Sequence, residues 1–136
     1  MFIDAVRGGL YGNVPLSRTS LAIMLMANWE ARMTHLRLVL TTAANRDEAE
    51  RIAHALVEER LAACVNLIGI HSIYRWNDAV ESADEVQLLI KTRDVTVDAV
   101  CRRVHELHSY EVPEFLVLEA QGESEAYLAW LLSSVR

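Results

Sequence analysis

Beyond residue 35 the hydrophobic pattern switches repeatedly between strand-like and helix-like spacing. Leu36 to Thr42 is a short apolar, β-favouring run and predicts a first strand. Asn45 then supplies an N-cap with Glu48 three residues on, the spacing of a capping box. Ala49, Ile52, Ala53, Leu56 and Val57 recur at helical spacing opposite Arg51, Glu58 and Glu59, so a first helix is expected to end near Arg60. The stretch 64–76 is rich in Val, Ile and Tyr and predicts a long second strand, with Gly69 suggesting a bulge or bend. Asn77-Asp78 opens a polar turn expected to run through Ser82, and residues 86–92 form a third strand. Val97, Val100, Cys101, Val104 and Leu107 mark a second, amphipathic helix, which Pro113 ends. Residues 115–118 predict a fourth strand, and Tyr127, Leu128, Leu131 and Leu132 a final helix after Gly122.

The order βαββαβ, with one hairpin and two helical crossovers, defines an α+β, ferredoxin-like sandwich with an extra C-terminal helix. Two helices cover one face of such a sheet. The third strand is too continuously apolar to leave the other face to water. A partner is therefore expected on that face, most simply a second copy of the chain.

Composition narrows the picture. The 136 residues suit one domain, and 52% apolar against 24% charged is a globular balance. A net charge of −6 without a basic run disfavours nucleic acid and membrane surfaces as partners. No stretch reaches the roughly 18 apolar residues of a membrane span. Two cysteines, Cys64 and Cys101, lie at no zinc-type spacing, so a reducing compartment is the default. Residues 1–32 differ from the rest: they hold Gly8, Gly9, Gly12 and Pro15 and show no clean period. They read as a poorly structured N-terminal extension, a targeting segment around Leu21–Ala27, or the product of a start placed too early, with the folded domain spanning 33–136.

Candidate chemistry concentrates between the second helix and the fourth strand. The sequence contains no G-x-S-x-G elbow, P-loop or G-x-G-x-x-G, and no catalytic activity is expected. The segment His108-Ser109-Tyr110-Glu111-Val112-Pro113-Glu114 gathers an imidazole, a phenol and two carboxylates in one loop, reasonable ligands for a divalent cation. Against this, His108 could simply cap the helix while Glu111 and Glu114 are solvated. Cys101, His105 and His108 share one helix side and form a weaker metal candidate. Lys91 is the only lysine among 13 basic residues. It is placed to meet an anion or to pair with a glutamate such as Glu114. Trp76 and Trp130 read as interface anchors.

Five ordered motifs carry a family resemblance: Leu61-Ala62-Ala63-Cys64-Val65-Asn66-Leu67, Ser72-Ile73-Tyr74-Arg75-Trp76, Leu89-Ile90-Lys91-Thr92, the 108–114 loop, and Tyr127-Leu128-Ala129-Trp130. From about Leu36 to Arg136 the chain resembles CutA, the divalent-cation tolerance family. The resemblance implies a cytoplasmic homotrimer implicated in tolerance of copper and other divalent ions. It implies no obligatory cofactor and weak binding of a metal ion or small ligand in clefts between subunits. His108 would be the metal ligand, with Lys91, Tyr110, Glu111 and Glu114 lining the cleft. The chain departs from the family's copper site at two of its three ligands, where Thr41 stands for a cysteine and Leu107 for a histidine; the family's usual proline after His108 is Ser109. Two rivals stand beside this reading. One is a trimeric signalling module of the PII type, binding a nucleotide or anion through Lys91. The other is an acylphosphatase-like enzyme using Arg46.

Overall fold

The computed structural model describes residues 17–122 and 124–136, and for residues 27–34 the backbone alone. The elements run α1 (Arg18–His35), β1 (Leu36–Ala43), α2 (Arg46–Glu58), β2 (Cys64–Trp76), β3 (Ala79–Arg93), a 3-10 turn (Asp94–Thr96), α3 (Val97–Leu107), β4 (Leu116–Glu119) and α4 (Glu125–Ser134). The sheet order is β2-β3-β1-β4, with every pairing antiparallel. This is the ferredoxin-like arrangement expected from the element order.

Alternation along β1 sorts its side chains between two faces. Val39, Thr41 and Ala43 are fully buried and sit opposite Ile90, Leu88 and Val86 on β3. They join Ile52 and Leu56 of α2 and Val100 and Val104 of α3 in one core. Leu36, Leu38, Leu40 and Thr42 point the other way. There α4 covers one end only, packing Leu128, Leu131 and Val135 on Leu36 and Ala63. The rest of that face stays open: Ile68, Leu116 and Leu118 are 46%, 53% and 43% exposed.

The third strand starts seven residues earlier than the sequence pattern suggested, at Ala79 rather than Val86. Asn77 and Asp78 both take positive φ, 46° and 61°. Two consecutive left-handed residues make the tight two-residue turn whose twist matches a hairpin, so pairing resumes at once. Trp76 faces Ala79, and seven pairs lie beyond the end of β1, an arm reaching about 20 Å past the rest of the sheet. No bulge forms at Gly69, which pairs in register with Val86.

Residues 18–35 are helical rather than poorly structured. Ser17 caps α1, its side chain accepting from the Ser20 amide, and α1 passes into β1 without a loop. The expected boundary near residue 33 therefore falls within a helix; the first 16 residues lie outside those described. His35 Nδ1 meets Asp94 Oδ2 at 3.2 Å and ties the end of α1 to the 3-10 turn. Leu21, Ile23, Met24, Leu25 and Met26 on α1 are exposed. Among the described residues no helix is long and apolar enough to cross a membrane.

Candidate functional site

The 108–114 loop begins at the C-cap of α3 and turns past the end of β1. His108 keeps its side chain fully buried, its Nε2 lying 2.6 Å from the Thr42 carbonyl oxygen. A carbonyl only accepts, so Nε2 carries the hydrogen. The other nitrogen, Nδ1, accepts from the Tyr110 amide at 3.0 Å. His108 is therefore the neutral Nε2–H tautomer with both nitrogens committed to backbone. In this arrangement, against the expectation of His108 as a metal ligand, no lone pair of the imidazole is turned outward.

Beneath it lies Glu48, 5% exposed. Asn45 caps α2 by accepting from the Glu48 amide at 2.9 Å, which is one half of the predicted capping box. The carboxylate has crossed to the loop: Oε1 accepts from the Ser109 amide at 2.7 Å and Oε2 from the Ser109 hydroxyl at 2.9 Å. Burial pushes the Glu48 carboxyl up. Hydrogen bonds from the Ser109 amide and hydroxyl and from the Ala44 amide act the other way, and the group lies below its ordinary value.

Tyr110 donates its hydroxyl hydrogen to Glu85 Oε1 at 3.0 Å, and its ring lies 4.9 Å from that of His108. Burial, then the Glu85 hydrogen bond and charge, push the phenol up to about 12. Glu111 is exposed, and Glu114 is half-buried with Oε2 lacking a hydrogen-bond partner.

Lys91 does not join this group. It pairs with Leu38 on β1, four positions and about 13 Å along the strand from Thr42. Its Nζ lies 6.0 Å from the Tyr127 ring centroid, on the face that α4 partly covers. The single cleft expected to hold Lys91 with Tyr110 and Glu114 is thus divided within one subunit. His105 Nδ1 donates to the Cys101 carbonyl at 2.8 Å and lies 3.7 Å from its Sγ, and the ring sits 6.3 Å from that of Phe115, while His108 turns to β1. Among the described residues no group of three or more His, Cys, Asp or Glu is placed to hold a metal ion.

A copper site made from position 41, position 107 and His108 does not fit these residues. Thr41 is buried on the core face with Oγ1 unpaired, Leu107 packs against the core, and His108 is occupied. Sequence reasoning missed Glu48 and Glu85. Glu48 passed for a capping residue, and Glu85 fell beside the supposed long turn. The signal available for Glu48 was Ser109, a residue with both an amide and a hydroxyl to donate.

The fold and this loop define a ferredoxin-like α+β protein whose α3–β4 loop is locked by a buried carboxylate. Residues 37–134 match the family model of the CutA1 divalent ion tolerance protein, and the chain belongs to that family. It is 45% identical over 95 residues to the divalent-cation tolerance protein CutA of Thermus thermophilus, covering 69% of this chain and 92% of that one. It is 41% identical over 100 residues to the chloroplastic protein CutA of Arabidopsis thaliana, covering 73% and 55%. The chain spans about half the length of the plant and mouse relatives it matches. Among solved structures, Cut A1 from Thermus thermophilus aligns with a TM-score of 0.72 at 42% identity, over 74% of this chain and 99% of that one. CutA1 from Oryza sativa aligns with a TM-score of 0.74 at 38% identity, over 77% and 97%.

Proposed function

We propose that this chain acts in divalent-cation tolerance as a homotrimer without catalytic turnover, weakly binding a cation or small ligand in clefts between subunits. The family match over residues 37–134 carries this reading. The names of its relatives, divalent-cation tolerance proteins among them, supply the cation class. The open sheet face supports the assembly, because Ile68, Leu116 and Leu118 form an apolar surface that a further copy would remove from water. The carboxylates of Glu85 and Glu114, beside Tyr110 and before β4 respectively, are the oxygen donors we assign to the cation. No metal is resident in this reading, and the cation is cargo. The location we propose is the cytoplasm, on the support of the free thiols Cys64 and Cys101.

Light scattering on the purified chain, followed by copper titration against a competing chelator, tests the proposal. The expected mass is that of a trimer, and Leu116→Asp lowers it to that of the single chain. Weak copper binding is expected to be unchanged in His108→Ala and reduced in Glu85→Gln. A wild-type monomer refutes the assembly. Tight binding that His108→Ala abolishes refutes the assignment of the donors.

A further inference from the structure

The imidazole expected to bind metal has both ring nitrogens hydrogen-bonded to backbone, and the reason lies on another element. We infer that Glu48 is a positioning residue whose carboxylate fixes the start of the 108–114 loop so that His108 turns both ring nitrogens onto the chain's own backbone and is withheld from metal ions. The inference does not depend on the proposed function.

The contacts form a closed circuit. Glu48 stands in the first turn of α2, and Asn45 fixes that turn by accepting from its amide. Its two oxygens take the two donors of Ser109, the amide at 2.7 Å and the hydroxyl at 2.9 Å. Charge-assisted bonds of this length are the stronger kind, and a buried carboxylate without them would be costly. With Ser109 held, the neighbouring residues on either side have little freedom. His108 Nε2 reaches Thr42 on β1, and the Tyr110 amide folds back onto His108 Nδ1. One turn further along α2, Arg51 donates to the Leu107 carbonyl at 3.3 Å, securing the end of α3 from the same helix. Glu48 Oε1 also lies 3.5 Å from His108 Nδ1, beyond hydrogen-bond length while that nitrogen accepts from Tyr110. A metal ion approaching Nδ1 must displace the Tyr110 amide and enter a side-chain site with no exposure.

Two readouts on the ¹⁵N-labelled full chain separate positioning from general support of the fold. The first is the imidazole nitrogen spectrum of His108, with His35, His54, His71 and His105 as internal references, with and without zinc chloride as the probe. The second is amide exchange at Ser109 and Tyr110 against Val39 and Ile90 in the sheet. In the wild type the Nε2–H tautomer is expected, unaltered by zinc. In Glu48→Ala the Ser109 and Tyr110 amides should exchange about tenfold faster or more. The His108 signals should lose the single-tautomer pattern and shift with zinc, while Val39 and Ile90 stay protected. Glu48→Gln should restore the wild-type pattern, since its amide can accept from the Ser109 N–H and donate to the Ser109 hydroxyl. If Glu48→Ala does not fold, Ser109→Ala gives a smaller change in the same direction. Unchanged His108 signals in these variants overturn the inference. So does exchange that rises equally at Val39 and Ile90, or a wild-type His108 that already responds to zinc.

Discussion

The hydroxyl of Tyr110 donates to Glu85 Oε1 at 3.0 Å, joining the α3–β4 loop to the base of the hairpin arm, 25 positions away in sequence. A neutral phenol is required for that bond, and ionisation would place two negative charges side by side. Glu48 on α2 and Tyr74 on β2 face the same phenol and act in the same direction. The group's folded value, about 12, lies above its ordinary 10.0. Its contribution to stability is therefore complete below 10.0 and is lost as pH rises toward about 12. Urea unfolding of wild type and Tyr110→Phe through that interval should show the wild type losing stability relative to the variant. Parallel curves would rule out the coupling.

Thr41 is fully buried with its hydroxyl unpaired. An unmet buried hydroxyl costs about 1–3 kcal/mol, and valine has the same shape without it. Thr41→Val should raise stability by about 1 kcal/mol or more, measured as a higher urea midpoint at constant slope. A fall in stability would mean that the hydroxyl has a partner in the assembled protein.

Asp78 occupies the second left-handed position of the hairpin turn, at φ 61°. A β-branched residue there meets the steric penalty of about 1–2 kcal/mol for that conformation. Asp78→Val should lower stability by about that amount, whereas Asp78→Gly should be neutral or stabilising, because Asn-Gly is the favoured pair for this turn. Equal thermal midpoints for the two variants would contradict the turn assignment.

The hydrophobic pattern marked the limits of α3 because that helix buries Val100 and Val104 in the core of its own subunit. It marked β2 through that strand's run of β-favouring Val, Ile and Tyr, although no residue of β2 is fully buried. It failed at Ala79–Glu85, where Glu81, Ser82 and Asp84 look like loop. The arm overhangs the sheet, so polarity there does not follow the burial of a single chain. It failed at Ser17–His35 for a related reason: the residues from Leu21 to Met26 are apolar but exposed, and no alternation marks a covered side. The candidate site was legible as a segment but not as a geometry. Whether Lys91 stands near His108 depends on the β1–β3 register, and the role of Glu48 depends on a contact 61 residues away.

The hairpin also divides the chain by the order in which contacts can form. β2 and β3 meet through a two-residue turn, so all thirteen of their pairs join residues close in sequence. Such a hairpin closes in about 1–10 microseconds. β1 must find β3 some fifty residues on and β4 nearly eighty on, since Leu40 pairs with both Leu89 and Leu116. Those closures pay for long loops before any contact rewards them. The slow step of folding should therefore be the docking of β1 into a gap whose one side, the 86–93 stretch of β3 within the hairpin, is already built.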